Sequence, residues 1–305
     1  MATTYDFVAA NKRRSALLIV VFVGVIVLVA WAFAQLVDYG TPGIIMASTA
    51  AFGWSMVGYY NGDKIALLTS GAKGPITKND QAYVYMMIEN LCIASGTQMP
   101  KVYLINDPQI NAFATGRDPK HASIAVTTGA IEQLENEELE GVLAHELSHI
   151  KNYDIRYMTL VAILVGVLTL IANYFWRGSM FNKREDSNNS GGQIQAVLLI
   201  IGIVLIIIAP LLGQLIQLAV SRKREFLADA SGALLTRYPE GLARALEKIE
   251  QSATKPMQQA NQATAHLYIS NPFGSKKSGM SRLFSTHPPI AERVAALRAM
   301  GGISK

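Results

Sequence analysis

From Ala16 to Val37 the chain runs 22 residues without a single charge, about what an α-helix needs to cross the hydrocarbon of a bilayer. Lys12, Arg13 and Arg14 precede the run. A secretory signal peptide is the rival reading, with Ala32-Phe33-Ala34 as its cleavage site. The run is longer than an apolar signal core of about 7–15 residues and a second apolar stretch follows closely, so a retained anchor fits better. That second stretch, Pro42 to Tyr60, is weaker and Gly-rich, with Trp54, Tyr59 and Tyr60 suited to an interfacial belt. The third runs from about Tyr157 to Trp176. The fourth, Ile194 to Val220, is the most apolar, and Pro210 and Gly213 are placed to kink it or to end its embedded part.

Composition agrees with this concentration of apolar residues. Half of the 305 residues are hydrophobic and 16% are charged, against about a quarter in an ordinary soluble domain. One cysteine, Cys92, excludes a disulfide framework and a Cys-rich zinc module. The net charge of +5 comes without a basic stripe interleaved with aromatics. That excludes nucleic acid as a partner and suits a protein resting on anionic lipid.

Four crossings divide the chain into residues 1–60 (a tail and two spans), 61–154 (the first half of a soluble domain), 155–220 (a hairpin of spans three and four) and 221–305 (the second half). An even number of crossings puts both halves on one side. The basic residues Lys12, Arg13 and Arg14 face an Asp38–Thr41 turn with none, which assigns that side to the cytoplasm. Arg177, Lys183 and Arg184 in the short outer loop dilute this signal without reversing it.

The first soluble piece reads as α+β. Lys101–Ile105 and Ser123–Thr127 are β-type runs separated by turn chemistry at Asn106-Asp107-Pro108 and Gly116-Arg117-Asp118-Pro119. From Thr128 the pattern turns helical. Asn136 is the expected N-cap of a helix with Glu137 and Glu138 in its first turn, where the helix dipole favours anions. Leu139, Val142, Leu143, Leu147 and Ile150 give it an apolar face.

On that helix stands His145-Glu146-Leu147-Ser148-His149. Two histidines four apart leave one helix face about 6 Å apart, which suits two imidazoles meeting one Zn²⁺. The glutamate between them can take a proton from the attacking water. An ordinary amphipathic helix with two surface histidines is the plainer reading, and the burial patterning of the helix counts against it.

A catalytic zinc site wants a third protein ligand and an open position. Ile155 stands where a metzincin needs histidine, so that class is excluded. Among glutamates, Glu185 lies in the outer loop. Glu240, Glu247 and Glu250 sit on Pro239–Gln251, which looks like a solvated helix, and Glu292 lies in a similar stretch. Glu225 differs, because Asp229 follows one helical turn later and two carboxylates on one face repel unless a cation compensates. Zinc bound by Glu225, with Asp229 accepting a proton from a ligand histidine, would compensate them. Alternatively, Glu225 simply pairs with Arg222, Lys223 or Arg224 at the end of the fourth span.

Taken together, His145-Glu-Leu-Ser-His149, Arg224-Glu-Phe-Leu-Ala-Asp229, Asn111-Ala-Phe-Ala114 and Ser285-Thr-His-Pro-Pro289 resemble the HtpX/CAAX prenyl protease family of membrane-integrated zinc peptidases. The resemblance spans the whole chain. It implies a mainly α, multi-pass membrane protein with a small α+β zincin-like (gluzincin) catalytic domain. It further implies one Zn²⁺ per chain held by His145, His149 and Glu225, Glu146 as base, and a bacterial inner-membrane location with the site and both termini facing the cytoplasm. Damaged or misfolded membrane proteins and unfolded polypeptides are the implied substrates. Asn111, Ala112, Phe113 and Ala114 resemble the edge strand that holds substrate, since an unpaired edge can bond an extended backbone; a tight loop around Asn111 is the alternative. His287 is a candidate to stabilise the oxyanion, while His121 and His266 have no partner pattern.

Two other classes compete. A membrane scaffold or holdase with structural zinc would want four protein ligands, usually including cysteine, and Cys92 is far from both motifs. A transporter would carry ionisable residues at mid-membrane, and the span centres hold none. Residues 253–281, rich in Gln, Ser, Lys and Gly, read as a mobile flap or as disordered. The oligomeric state has no sequence signal.

Overall fold

The computed structural model describes residues 9–21, 23, 24, 27, 40–166, 222–253, 255–261, 263–274 and 288–302. In chain order the elements are α1 (Gly40–Thr69), β1 (Ala72–Lys73), α2 (Ala82–Ser95), β2 (Lys101–Ile105), β3 (Ala112–Gly116), β4 (Ala122–Thr127), α3 (Thr128–Gln133), α4 (Asn136–Lys151), α5 (Arg222–Thr236), α6 (Pro239–Ser252) and α7 (Ile290–Met300). Residues 9–21 and 154–166 are also helical. The protein is mostly helical with one small mixed sheet.

The sheet has the order β1-β2-β4-β3. The two β-type runs form its centre: β2 and β4 lie parallel, with Lys101 opposite Ser123 and Ile105 opposite Thr127. β3 returns antiparallel on β4. The turn between them is fixed by Asp118, whose carboxylate accepts from the backbone N–H groups of Lys120 and His121 and meets His121 Nδ1 at 2.8 Å. His121 thus has a local structural partner.

Helix α4 crosses this sheet and is buried along almost its whole length. Leu139, Val142, Leu143, Leu147 and Ile150 are in the core, as their spacing predicts. The helix starts differently from the sequence reading. Glu135, not Asn136, is the cap, and its N–H donates to Glu138 Oε2 at 2.9 Å. Asn136 instead accepts a hydrogen bond from the Tyr83 hydroxyl. The buried Glu138 carboxylate also meets Lys248 Nζ at 2.7 Å, which ties α4 to α6.

Helix α6 corrects the expectation of a solvated Pro239–Gln251 segment. Leu242, Ala243, Ala245, Leu246 and Ile249 are buried. Each large one contributes about 1.5–3 kcal/mol of apolar burial, and the charged residues occupy the opposite face. The flap reading of 253–281 is also corrected as far as residue 274. Met257, Leu267, Tyr268 and Ile269 are buried, and Tyr268 forms an antiparallel bridge with Phe113. His266 Nε2 donates to the Met158 carbonyl at 2.9 Å, a structural role. Residues 275–281 lie outside the described residues.

The membrane reading has a narrower structural counterpart. Among the described residues no helix is long and apolar enough to cross a membrane. Helix α1 covers the second apolar stretch, but its glycines and the Asp63-Lys64 pair dilute it. Spans one and three are described only in part, and span four lies outside the described residues. Of the third, Leu160 to Val165 are buried in protein. This helix packs on α1 at Gly58 and Gly62, where added Cβ atoms would come within 2.9 and 2.4 Å of Ile163. Small residues four apart allow that close approach.

Candidate metal centre

Four elements converge on one buried point. Helix α4 supplies His145, Glu146 and His149; the helix at 154–166 supplies Asp154 from its first residue; α5 supplies Glu225 and Asp229; α7 supplies Arg293. All seven are at most 4% exposed. The close approach of α5 to α4 depends on Gly232, where a Cβ would lie 3.0 Å from the His145 nitrogen.

The imidazoles of His145 and His149 meet edge to face, with Nε2 atoms 3.2 Å apart. Glu225 Oε2 is 3.8 Å from His145 Nε2, and Oε1 is 3.5 Å from His149 Nε2. Behind each ring stands a carboxylate: Asp229 Oδ1 is 2.9 Å from His145 Nδ1, and Asp154 Oδ2 is 3.1 Å from His149 Nδ1. A carboxylate accepts only, so each Nδ1 carries the proton and each ring turns Nε2 inward, where its lone pair is available to a metal that displaces any proton there. Two imidazole Nε2 atoms and a carboxylate therefore converge within 4.8 Å in a buried site. Such a donor set demands a cation, and it fits a divalent metal.

The charges around the site are arranged for that cation. Burial alone would lower the His149 pKa, but Asp154, Glu225 and Glu146 outweigh it and push it up to about 9. His145 is held below its ordinary value, first by burial and then by the charges of His149 and Arg293, against the pull of Asp229. Burial raises Glu146 to about 7, Glu225 adds to this, and His149, Arg293 and a hydrogen bond from the Ala114 N–H oppose it. Asp229 is held at about 2 despite its burial, because Arg293 lies against it.

Arg293 and Asp154 are absent from the sequence reading. Arg293 donates from Nε to Asp229 Oδ2 at 2.8 Å and from Nη2 to Oδ1 at 2.6 Å, and its Nη1 is 3.6 Å from Glu225 Oε2. It thereby neutralises both carboxylates of α5. A signal existed: Arg293 adjoins Val294 and precedes Leu297 by one turn on the buried face of α7, and an arginine on an apolar face needs an acid.

Asn111–Ala114 lies beside the site in a specific way. The Ala114 N–H reaches the Glu146 carboxylate. Ala112, Phe113 and Ala114 are buried in the core. The outward edge of β3 is partly taken by the chain itself, since the Ile269 N–H donates to the Ala112 carbonyl at 3.0 Å. The Asn111 amide donates to the Ser270 carbonyl at 3.0 Å. His287 lies outside the described residues.

A two-histidine, one-glutamate cluster with a buried carboxylate between the histidines, set on a helix against a mixed sheet, defines a metallopeptidase. Residues 78–301 match peptidase family M48. The chain is 44% identical over 302 residues to a protein named Protease HtpX homolog from Caldanaerobacter subterraneus subsp. tengcongensis, covering 98% of each. It is 44% identical over 299 residues to one of the same name from Dictyoglomus thermophilum, covering 98% of this chain and 95% of the other. Its fold is similar to that of Ste24p from S. mikatae, with a TM-score of 0.51 and 19% identity, over 88% of this chain and 61% of that one. The chain belongs to peptidase family M48. It is a metalloprotease that hydrolyses peptide bonds, which sets aside the scaffold and transporter readings.

Proposed function

We propose that the chain is a zinc-dependent endopeptidase of the bacterial cytoplasmic membrane that removes damaged or misfolded membrane proteins, with one Zn²⁺ held by His145, His149 and Glu225. The observation that carries this reading is the convergence of two inward imidazole lone pairs and one carboxylate in a buried pocket. Held by these three residues, zinc would supply a Lewis acid for the scissile carbonyl and would lower the pKa of the attacking water. Glu146 takes the proton of that water and returns it to the leaving amine. Its raised pKa of about 7 suits both halves of the transfer. Asp229 and Asp154 fix the tautomer of each histidine, and Arg293 keeps Asp229 ionised.

Asn111–Ala114 is proposed to hold an extended substrate backbone along β3, and His287 to stabilise the oxyanion. The membrane assignment rests on the four apolar stretches: residues 1–60 and 155–220 as paired spans, with 61–154 and 221–305 as the two halves of one catalytic domain on the cytoplasmic side. A site close to the bilayer surface is placed to receive loops or unravelled ends of membrane proteins.

The test separates ligand from base. Glu146→Gln in detergent-solubilised full-length protein is expected to keep about one zinc per chain, by elemental analysis, while hydrolysis of an unfolded test protein is lost. Glu225→Ala is expected to lose the metal. Cleavage at the native rate by Glu146→Gln, or undiminished zinc in Glu225→Ala, would refute the assignment.

A further inference from the structure

The helix at residues 9–21 reaches the metal centre through one side chain. Asn11 is 2% exposed, although it precedes the first apolar run and its neighbours Lys12, Arg13 and Arg14 are exposed. Its amide uses both ends. Nδ2 donates to Asp154 Oδ1 at 2.7 Å and to the Asn152 carbonyl at 3.0 Å, and Oδ1 accepts from Arg224 Nη1 at 3.3 Å. The other oxygen of Asp154, Oδ2, is the one facing His149 Nδ1.

Three further observations concern the same turn. Tyr153, between Asn152 and Asp154, has φ of +60°, a left-handed conformation that a bulky residue adopts only when its surroundings hold it there. The bond from Asn11 to the Asn152 carbonyl holds one side of that residue. Lys12 Nζ stands 4.7 Å from the centre of the Tyr153 ring and holds the other. Arg224 Nη1 lies 3.7 Å from Asp154 Oδ1, so it competes with His149 for that carboxylate. Asn11 sits between the two. Its oxygen takes up the guanidinium, and its nitrogen pins Oδ1 so that Oδ2 stays on the imidazole. An amide can accept from an arginine while donating to both an aspartate and a carbonyl, which a hydroxyl with its single proton cannot.

We propose that Asn11 is a positioning residue for the metal centre, holding Asp154 against His149 and thereby setting metal affinity. This rests on His145, His149 and Glu225 being the metal ligands. Without Asn11, the Asp154 carboxylate turns toward Arg224, the Tyr153 turn relaxes, and His149 loses the partner that fixes its ring. The N-terminal helix is thereby part of the metal site, although it supplies no ligand.

The test is a double-mutant cycle on zinc affinity in full-length protein, read by competition of Zn²⁺ with a chromophoric chelator. The thermal midpoint of the metal-free form is measured alongside. Asp154→Ala is expected to weaken zinc binding by about 10–100-fold, the range for outer partners of metal-bound histidines. Asn11→Ala is expected to weaken it by about tenfold, and the isosteric Asn11→Asp, which sets a carboxylate against Asp154, by at least as much. In the Asp154→Ala background, Asn11→Ala should add less than about a twofold loss, because the relay is already gone. A residue that merely anchored its helix would lower the thermal midpoint and impose the same factor in both backgrounds. Native zinc affinity in Asn11→Ala or Asn11→Asp, or an undiminished factor in the Asp154→Ala background, would overturn the proposal. Asn11→Asp keeps the side-chain shape, so the cycle stands even if Asn11→Ala does not fold. Native protein that binds no zinc would instead overturn the ligand assignment itself.

Discussion

Arg293 is the residue on which the electrostatics of the interior turn. Its guanidinium is fully buried and is shared between Asp229 and Glu225. Removing one partner of a buried ion pair strands the other, at a cost of about 3–5 kcal/mol. Arg293→Met is therefore expected to lower the thermal midpoint strongly, and Arg293→Lys to recover part of the loss, since lysine keeps the charge but not the two-pronged geometry. A native midpoint in Arg293→Met would contradict this. Cys92 is inert for a related reason. Burial, and secondarily Glu89, pushes its thiol up to about 11, leaving roughly one thiolate in a thousand at pH 8. Iodoacetamide should modify it only after denaturation, which mass spectrometry of the intact protein would show. At this scale the sequence is legible where one short segment carries the chemistry. His145, Glu146 and His149 follow from helical spacing, and Glu225 and Asp229 from two carboxylates one turn apart. Asp154 and Asn11 left no such signal, because two further helices, at 154–166 and 9–21, bring them to the site.

Helix α4 shows what sets the architecture at the level of elements. At Gly141 it meets the start of α6, and an added Cβ would lie 2.8 Å from the Leu242 nitrogen and 2.9 Å from its Cα. Backbone cannot step aside as a side-chain tip can. Gly141→Ala is therefore expected to destabilise by about 1–3 kcal/mol, read as a lower thermal midpoint, whereas helix propensity alone predicts a gain of about 1 kcal/mol. A stabilised variant would mean that α6 packs elsewhere. Strands β2 and β4 were legible because alternation and turn residues are local. The role of α6 was not: its charged face dominates the composition, while its apolar face appears only at helical spacing. Residues 255–274 were misread for a similar reason. Their polar composition conceals Met257, Leu267 and Tyr268, which join one core cluster with Phe113 and Ala125 of the sheet, and Ile269, which joins the other.

For the whole molecule, the proposed four-span arrangement fixes which face of the membrane carries the chemistry. Glu225 meets His145 and His149 although two apolar stretches intervene in sequence. A single crossing would separate them by about 30 Å. The two crossings proposed for residues 155–220 would bring the chain back as a hairpin. A cysteine at Asn188 in a Cys92→Ala background is accordingly expected to react with an impermeant thiol reagent on intact cells, and one at Lys151 only after lysis. Labelling of both from outside would invert the protein, and labelling in which only Asn188 is internal would refute the cytoplasmic assignment as directly. Arg293 has one more consequence, which concerns synthesis. The chain emerges in order, histidines first, then Glu225, and the arginine that neutralises Asp229 and Glu225 only with α7. Until then Asp229 and Glu225 lack the buried guanidinium that they share in the folded protein, and a pocket holding their uncompensated charges is expected not to close. Under the proposed function, the nascent protease is therefore expected to gain activity only when its last helix is in place, and so to spare its own emerging segments.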